Sequence, residues 1–441
     1  MKRFFLYLFF TLILFSSCKH ADYKKIFRDP QLYSNTVHEL NGVVMGNNFS
    51  PVVASRNYAY ANIAAYEVIA AGSPGSYRSL VGQLNGLKSV AHPPKGKNIN
   101  YEYAAILAFC NVGEVVTFPA GSMKNYVDSV RDLALENGMP DEVMKNSEDY
   151  ANAVAKSIIK WSIGDNYLQT RTGAKYTIKD SAGRWVPTPP AYTEAIEPHW
   201  SEIRRMVLKN ARQITVAPPP AYNVTDTASK YYHEVKMIEN ADDHLTPIQI
   251  DKADFWDDNP GKLNVTGHMM YVSKKFSPGG HWMSITGIGA KKVKADFNKT
   301  VCAYAKTSIA LFDAFIQCWT VKYDYKTARP ETVINANFDD RWHPHLQTPP
   351  FPEYSCGHCT ISAAAAEALT STLGDNVAYT DTSELEFGIK SRSFSSFHQA
   401  AAETAISRFY GGIHFHNSCV VSANYGAAVG KYVVSQLQMK K

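Results

Sequence analysis

Residues 354–360 read YSCGHCT, and this stretch decides between two kinds of site. Cys356 and Cys359 form the Cys-x-x-Cys pattern of a thiol–disulfide oxidoreductase, whereas Gly357-His358 is typical of a turn that binds an oxyanion. A thioredoxin-like site requires the cysteines at a strand-to-helix junction of a βαβ unit. The sequence contains no such unit and continues as a strongly helical segment, TISAAAAEALTSTLGD. We interpret the stretch as an oxyanion-binding turn, and we leave open whether its two cysteines form a disulfide.

Most of the remaining chain also shows the apolar spacing of helices. Pro-rich stretches near 180–200 and 217–224 predict irregular connections, and the segments DFWDDNPGKLNVTGHMM and SPGGHWMSI predict turns. Sustained strand alternation and internal repeats are absent from the sequence, so it predicts an all-α protein with a helical-bundle core. The predicted helices cover residues 51–71, 101–116, 119–136, 148–163, 297–320, 360–375 and 397–412, the last of them stopped by Gly411-Gly412.

Length and composition indicate a soluble enzyme-sized chain. The 441 residues are 45% apolar and 19% charged, which is ordinary for a globular protein. The formal charge of +5 is nearly balanced and no basic stripe is present, which argues against nucleic-acid binding. We predict a signal peptide at 1–17, an N-terminal helical region at 18–230 and a catalytic helical domain at 231–441.

The N-terminus, MKRFFLYLFFTLILFSSC, has the pattern of a secretory signal. Two basic residues precede an apolar run from Phe4 to Phe15, which is too short for a comfortable membrane span. Ser16-Ser17-Cys18 resembles a lipobox, with Phe15 where leucine is more usual. We therefore expect lipidation of Cys18 and a periplasmic or outer-membrane lipoprotein held to the membrane by its lipid; the alternative is an ordinary cleaved signal.

Three stretches in the last 120 residues carry the charges of a candidate site: KYDYKTARP (322–330), PPFPEYSCGHCT (349–360) and SRFYGGIH (407–414). Lys322 and Arg329 are seven residues apart, which predicts that they share one face of a helix that Pro330 interrupts. The Gly411-Gly412 break allows the chain to bring His414 back toward Arg408. Guanidinium groups, an ammonium group and the N-terminus of the following helix together favour a tetrahedral oxyanion such as phosphate or vanadate.

These stretches resemble the K-x6-RP, PSGH and SR-x5-H motifs of the superfamily that unites vanadium haloperoxidases with type 2 phosphatidic acid phosphatases. The PPFPEY segment and the long helical N-terminal half are closer to the haloperoxidases. The resemblance implies that His414 is the vanadium ligand, or the phosphorylated nucleophile of a phosphatase, and that His358 is the acid–base catalyst. It further implies that the oxyanion is held by Lys322, Arg329, Cys356, Gly357 and Arg408, with Phe351 as a pocket aromatic.

Two positions depart from the family pattern. Cys356 and Ser355 replace the serine and proline that precede Gly-His, and a thiol is a weaker hydrogen-bond donor than a hydroxyl. Ser418 replaces the aspartate that orients the last histidine. Asp339 or Asp340 is a candidate substitute for that carboxylate.

The sequence therefore predicts a vanadium-dependent haloperoxidase that uses vanadate, hydrogen peroxide and a halide. One alternative is an acid phosphatase that cleaves a phosphate ester through a phosphohistidine in the same pocket. A second alternative is a surface lipoprotein with a degenerate, non-catalytic pocket. His281 and Trp282 in PGGHW are interpreted as residues that pack a turn rather than line the site.

Overall fold

The computed structural model describes residues 22–179, 181–242 and 244–441, and its regular structure is mostly helical. The predicted signal peptide and Cys18 lie outside these residues. None of the helices within them is long and apolar enough to cross a membrane. The helices are α1 (Tyr23–Phe27), α2 (Pro30–Gly46), α3 (Pro51–Gly72), α4 (Tyr101–Val116), α5 (Lys124–Glu136), α6 (Asp141–Ile163), α7 (Tyr167–Thr170), α8 (Lys230–Asp242), α9 (Pro247–Phe255), α10 (Pro278–Lys292), α11 (Phe297–Tyr325), α12 (Pro330–Asn337), α13 (Gly357–Leu373), α14 (Phe397–Tyr410) and α15 (His416–Gln436).

Two long helices form the centre of the fold. In α3 every residue from Val52 to Ala70 is buried, and in α11 burial extends along nearly the whole helix. The two helices pack against each other, although they lie on opposite sides of the boundary predicted at 230/231. Their apolar side chains belong to one continuous core. This shared core fixes the N-terminal helices relative to the C-terminal bundle.

The C-terminal bundle is formed by α11, α13, α14 and α15, and its tightest contact joins α13 to α15. Small residues allow the two backbones to approach closely. A Cβ added at Gly426 would lie 2.0 Å from the Thr360 carbonyl oxygen, and one at Gly430 would lie 2.8 Å from Ala364 Cα. In addition, Ser422 Oγ accepts a hydrogen bond of 2.9 Å from the Cys356 amide. Helix α15 therefore holds the beginning of α13 in place.

Most predicted helices are present, with shifted ends. The prediction for 101–116 agrees with α4, whereas the helix predicted from 148 begins at Asp141 and the one predicted to end at 320 continues to Tyr325. The prediction of a turn at SPGGHWMSI is wrong. Ser277 accepts a hydrogen bond from the Gly280 amide as an N-cap and Pro278 occupies the first turn, so α10 begins there.

Two short antiparallel hairpins interrupt the helical pattern. Strands β1 (Lys262–Thr266) and β2 (Met269–Ser273) pair within the segment predicted as turns. Strands β3 (Tyr379–Asp381) and β4 (Arg392–Phe394) flank a 3-10 helix at Ser383–Phe387. The second hairpin places Asp381 and Glu384 next to the start of α10.

Candidate active site

Lys322 is fully buried near the end of α11. Its ammonium group donates hydrogen bonds to the carbonyl oxygens of Pro352 (2.7 Å) and Glu353 (3.0 Å). Burial, together with the nearby positive charge of Arg329, lowers the pKa of Lys322 to about 7. An anion bound beside Lys322 would favour its protonated form.

Arg329 lies close to Lys322, but it is not on the helix that carries Lys322. Helix α11 ends at Tyr325, with Lys326 in the left-handed conformation (φ 54°), and Arg329 is the N-cap residue of α12. The prediction that Lys322 and Arg329 share one helix face is therefore wrong, because a turn separates them. Arg329 donates to the carbonyl oxygens of Phe351 (2.9 Å) and Ile413 (2.8 Å).

Arg408 is the third buried cation and lies in the last turn of α14. Its Nη1 donates to the Trp256 carbonyl oxygen at 2.6 Å. Burial lowers the pKa of Arg408, whereas the carboxylates of Asp257 and Asp258 favour its charge. The three cations thus come from three separate segments of the chain.

His414 lies in the short connection between α14 and α15, which the predicted glycine break creates. Gly412 has φ +74°, a conformation that glycine adopts without strain, and a Cβ there would lie 2.8 Å from Pro344 Cβ. Arg329 Nη1 donates to His414 Nε2 at 3.1 Å. A guanidinium can only donate, so Nε2 carries a lone pair and the imidazole is neutral. Burial and the positive charges of Arg329 and Lys322 agree with this assignment, because they hold the pKa of His414 well below its usual range.

Glu353 orients His414, a role that the sequence did not reveal. Its Oε1 lies 2.8 Å from His414 Nδ1, and both side chains are almost fully buried. Glu353 therefore takes the place of the aspartate that Ser418 replaces. The predicted substitutes, Asp339 and Asp340, are exposed on the surface and cannot serve this purpose. Glu353 lies 61 residues before His414. The resemblance of the PPFPEY segment to haloperoxidases did not assign a role to this glutamate.

His358 follows Gly357 in the first turn of α13. The first amides of a helix have no intrahelical partner, so they are available to an oxyanion. Burial and the positive charge of Arg408 hold the pKa of His358 well below its usual range, which leaves the imidazole neutral. His358 Nε2 lies 3.9 Å from Asp258 Oδ2, which is too far for a hydrogen bond.

Cys356 is disulfide-bonded to Cys359. A bonded sulfur carries no proton, so the expectation that the Cys356 side chain binds the oxyanion as a donor needs correction. Instead, the sulfur accepts a weak contact of 3.3 Å from the Cys359 amide and caps α13. The family's serine hydroxyl is therefore replaced here by a bridge that fixes the turn.

A pocket of about 220 Å³ opens from His358 and Arg408 to the surface. Its ionisable lining residues are His358, Arg408, Asp258 and Asp257. Phe351 lies in the wall, with its ring centroid 5.0 Å from both Lys322 Nζ and Arg329 Cζ. The remaining wall is mostly apolar and includes Phe49, Pro189, Pro190, Ile196, Leu263 and Ile413.

Unpaired buried nitrogen atoms at this site fit a bound vanadate. Within the described residues, no hydrogen-bond partner exists for four buried nitrogen atoms of this site: Arg329 Nη2, Arg408 Nε, Arg408 Nη2 and His358 Nε2. Leaving buried charged donors unpaired is costly, so an oxyanion among them would satisfy groups that the protein itself leaves open. The lone pair on His414 Nε2 faces the same group of cations. This donor set suits a tetrahedral oxyanion that also accepts a nitrogen ligand.

Comparisons with known proteins support the interpretation of this site as one that binds vanadate. Residues 303–440 match the family model for the second helical-bundle domain of vanadium chloroperoxidase (VCPO). No curated protein sequence gives a significant match. A bacterial vanadium-dependent iodoperoxidase of known structure is 44% identical; the alignment covers 93% of this chain and 97% of that chain, with a TM-score of 0.87.

Two structures of bacterial vanadium-dependent chloroperoxidase share the fold at lower identity. The holo form is 16% identical over 89% of this chain and 93% of that chain, with a TM-score of 0.64. The apo form is 17% identical over 88% and 93%, with a TM-score of 0.66. The fold, the three cations, the neutral His414 and the close match to the iodoperoxidase lead to one conclusion: this chain belongs to the vanadium-dependent haloperoxidase family.

Proposed function

We propose that this enzyme oxidises halide with hydrogen peroxide at a vanadate bound to His414, and that iodide is its preferred halide. The observation that carries the proposal is the group of unpaired buried donors on Arg329 and Arg408, with the unpaired Nε2 of His358, beside the unprotonated Nε2 of His414. The choice of iodide is supported by the 44% identity to a bacterial iodoperoxidase. The balanced reaction converts hydrogen peroxide, halide and one proton into hypohalous acid and water.

When bound, vanadate supplies a Lewis-acidic centre that activates hydrogen peroxide for two-electron oxidation of halide. His414 Nε2 provides the nitrogen ligand, while Glu353 accepts the proton on Nδ1 and fixes the ring. Lys322, Arg329 and Arg408 offset the negative charge of the oxyanion.

His358 is suited to moving the proton. Its imidazole is neutral and Nε2 has no partner among the described residues, so this atom can take a proton from peroxide and return it to the departing oxygen. The apolar wall around Phe351 limits the water that reaches the reacting atoms, which strengthens the electrostatic interactions in the pocket.

The phosphatase alternative uses the same donors, with His414 as the nucleophile. No feature of the pocket favours it over halide oxidation, and the close relative is a peroxidase by name. A non-catalytic pocket would leave three buried cations and two imidazoles without an anion, which burial makes unfavourable.

We also propose that the protein is exported and lipidated at Cys18. The support is the sequence pattern at residues 1–18, which precede the described fold. Metabolic labelling with a radioactive fatty acid tests this proposal. Incorporation into the wild type but not into Cys18→Ser supports a lipid anchor, whereas absence of label from both indicates an ordinary cleaved signal.

The function is tested on protein lacking residues 1–18, freed of vanadium and titrated with orthovanadate. Iodination, bromination and aryl-phosphate hydrolysis are measured in the wild type and in His414→Ala. His398→Ala is a matched control, because His398 is half-exposed on α14 and pairs with Glu367. We expect vanadate-dependent iodination in the wild type and the control, and loss of at least about 100-fold in His414→Ala. Phosphate hydrolysis that vanadate inhibits, without halogenation, would replace the proposal by the phosphatase.

A further inference from the structure

A second group of buried ionisable side chains lies behind the pocket. Asp258 follows α9, His281 is in the first turns of α10, and Asp381 and Glu384 belong to the segment that begins with β3. All four are at most 3% exposed. Four charges of this kind from three segments are rarely buried together unless protons or an ion compensate them.

The two nitrogen atoms of His281 face different partners. Nε2 lies 3.0 Å from Asp381 Oδ2. Nδ1 lies 2.9 Å from Asp258 Oδ1 and 3.7 Å from Glu384 Oε1. A carboxylate on one nitrogen, with the other nitrogen turned toward further oxygen atoms, is the arrangement that orients histidine ligands of metal ions. Here Asp381 is the orienting carboxylate and Nδ1 is the available donor.

Glu384 points into this group without being satisfied by the protein. Its Oε1 is buried and has no hydrogen-bond partner among the described residues. Three carboxylates surround a single imidazole, and Asp258 is partly compensated by Arg408 on its other side. An unpaired buried carboxylate oxygen is costly, so a further positive charge beside it is expected.

We propose that His281 Nδ1, Asp258 and Glu384 bind one divalent metal ion, Zn²⁺ or Mn²⁺. The three ligand atoms lie within 4.8 Å of one another. Bonds of about 2.0–2.2 Å place neighbouring ligand atoms roughly 3–3.5 Å apart, which the observed separations of 2.9 and 3.7 Å bracket. One imidazole and two carboxylates suit these ions better than Ca²⁺ or Mg²⁺, which prefer oxygen ligands alone.

The ion has a structural role in this proposal. It joins the loop after α9, the start of α10 and the 3-10 helix at Ser383–Phe387. Asp258 also lines the pocket, and its Oδ2 lies 3.9 Å from His358 Nε2. The ion therefore supports the pocket wall from behind, and its binding does not depend on vanadate.

The competing occupant of the site is a pair of protons. Burial and the negative charge of Asp258 raise the pKa of Glu384 to about 8, although His281 opposes this shift. His281 between two carboxylates has a pKa well above its usual value despite its burial. A doubly protonated network would satisfy the same atoms, so the experiment has to separate protons from metal.

The experiment uses the protein purified without chelator and with vanadate omitted from every buffer. Elemental analysis measures bound metal, and thermal unfolding is followed after chelator treatment and after addition of Zn²⁺ or Mn²⁺. We expect about one divalent ion per chain. We also expect a rise of about 3 °C in Tm when added metal exceeds its Kd by roughly 100-fold. Glu384→Gln should lose both effects.

Glu386→Gln is the matched control, because Glu386 lies on the same 3-10 helix but is half-exposed and turned toward His38. It should behave as the wild type. Absence of bound metal together with an unchanged Tm in the wild type would assign the site to protons and overturn the proposal. An ion that Glu384→Gln retains would also overturn it, because the ion would then be bound at another place.

Discussion

At the scale of single residues, two opposite contacts fix the protonation of His414. Arg329 donates to Nε2, so the proton must lie on Nδ1, where Glu353 accepts it. The carboxylate increases the electron density on the ring and so strengthens Nε2 as a ligand. Burial raises the pKa of Glu353 to about 7, and the charges of Arg329 and Lys322 oppose this shift. Its ionisation therefore depends on those two cations.

Removing the charge of Glu353 should weaken vanadate binding. Glu353→Gln keeps an oxygen that can accept the Nδ1 proton but loses the negative charge. We expect the Kd for vanadate, measured by isothermal titration calorimetry, to rise by about 10- to 100-fold. The double variant Glu353→Gln/Ser418→Asp should recover part of the loss, because Ser418 and Glu353 line the same small cavity. An unchanged Kd in Glu353→Gln would show that the carboxylate has only a packing role.

The disulfide gives a second prediction at this scale. The variant Cys356→Ser/Cys359→Ala restores the hydroxyl donor that the family pattern contains, whereas Cys356→Ala/Cys359→Ala has neither bridge nor hydroxyl. One additional neutral hydrogen bond contributes about 0.5–1.5 kcal/mol, so the serine variant should bind vanadate about 2- to 10-fold more tightly than the alanine variant. Equal Kd values in the two variants would place this side chain outside the oxyanion site.

The sequence pointed to the charged residues that the structure brings close together, but not to the carboxylate that supports His414. Lys322, Arg329, His358, Arg408 and His414 stood in recognisable spacings, and the structure brings them together. Glu353 was missed because a carboxylate 61 residues from its partner has no local signature. Cys356 was assigned a donor role because its position was compared with a serine, and sequence alone does not show that its sulfur is bonded.

At the scale of helices, the position of the oxyanion turn depends on the contact between α13 and α15. Ser422 holds the Cys356 amide, and Gly426 allows the Thr360 carbonyl group to lie against α15. The position of the α13 N-terminus therefore depends on Gly426 and Gly430, which contact α13 about one and two turns after its first residue. A change in their size should be transmitted to the active site.

Gly426→Ala should separate the two helices, because the added Cβ would lie 2.0 Å from a backbone oxygen that has no room to move. We expect a loss of about 1–3 kcal/mol in the free energy of unfolding, measured by denaturant titration. Gly42→Ala on α2 is the control, since nothing lies within 4 Å of its added Cβ. A helical glycine-to-alanine change with free space should stabilise the protein by up to about 1 kcal/mol. Equal effects of the two substitutions would contradict the close approach.

Helix periodicity predicted the long buried elements well and the segment boundaries poorly. The break between Lys322 and Arg329 was misplaced because apolar spacing continues through Tyr325, and the left-handed Lys326 has no glycine to mark it. The start of α10 was read as a turn because Pro and Gly dominate SPGGHW, although Ser277 and Pro278 also form a helix start. The short hairpins were not predicted, because strands of five and three residues contain too few alternating apolar and polar positions to detect.

At the scale of the whole molecule, a bound oxyanion offsets the buried positive charges of the folded protein. Lys322 comes from α11, Arg329 from the turn before α12, and Arg408 from α14, so one bound anion contacts three elements of the bundle. Burying these cations lowers their pKa values, which means that folding without an anion costs free energy. An anion should therefore stabilise the complete fold and not only its own pocket.

This stabilisation should depend on pH through Lys322. Burial lowers the pKa of Lys322 to about 7 in the anion-free protein, so the ammonium form is present below that pH and is lost above it. An anion binds the ammonium form more tightly, so its apparent affinity should fall as pH rises through 7, by up to tenfold or about 1.4 kcal/mol per unit. The sign is opposite to that expected if a carboxylate with a raised pKa had to ionise first.

Sulfate provides the test, because its charge is constant across this range. Thermal unfolding with and without sulfate, from pH 6 to 8.5, should show a Tm increase that is largest at pH 6 and declines above pH 7. Lys322→Met is the control, since it fills the same buried position without a titrating group, and its smaller Tm increase should be independent of pH. A sulfate effect that grows with pH would contradict the prediction. A decline that is equal in Lys322→Met would assign the titration to Glu353, whose pKa burial raises to about 7.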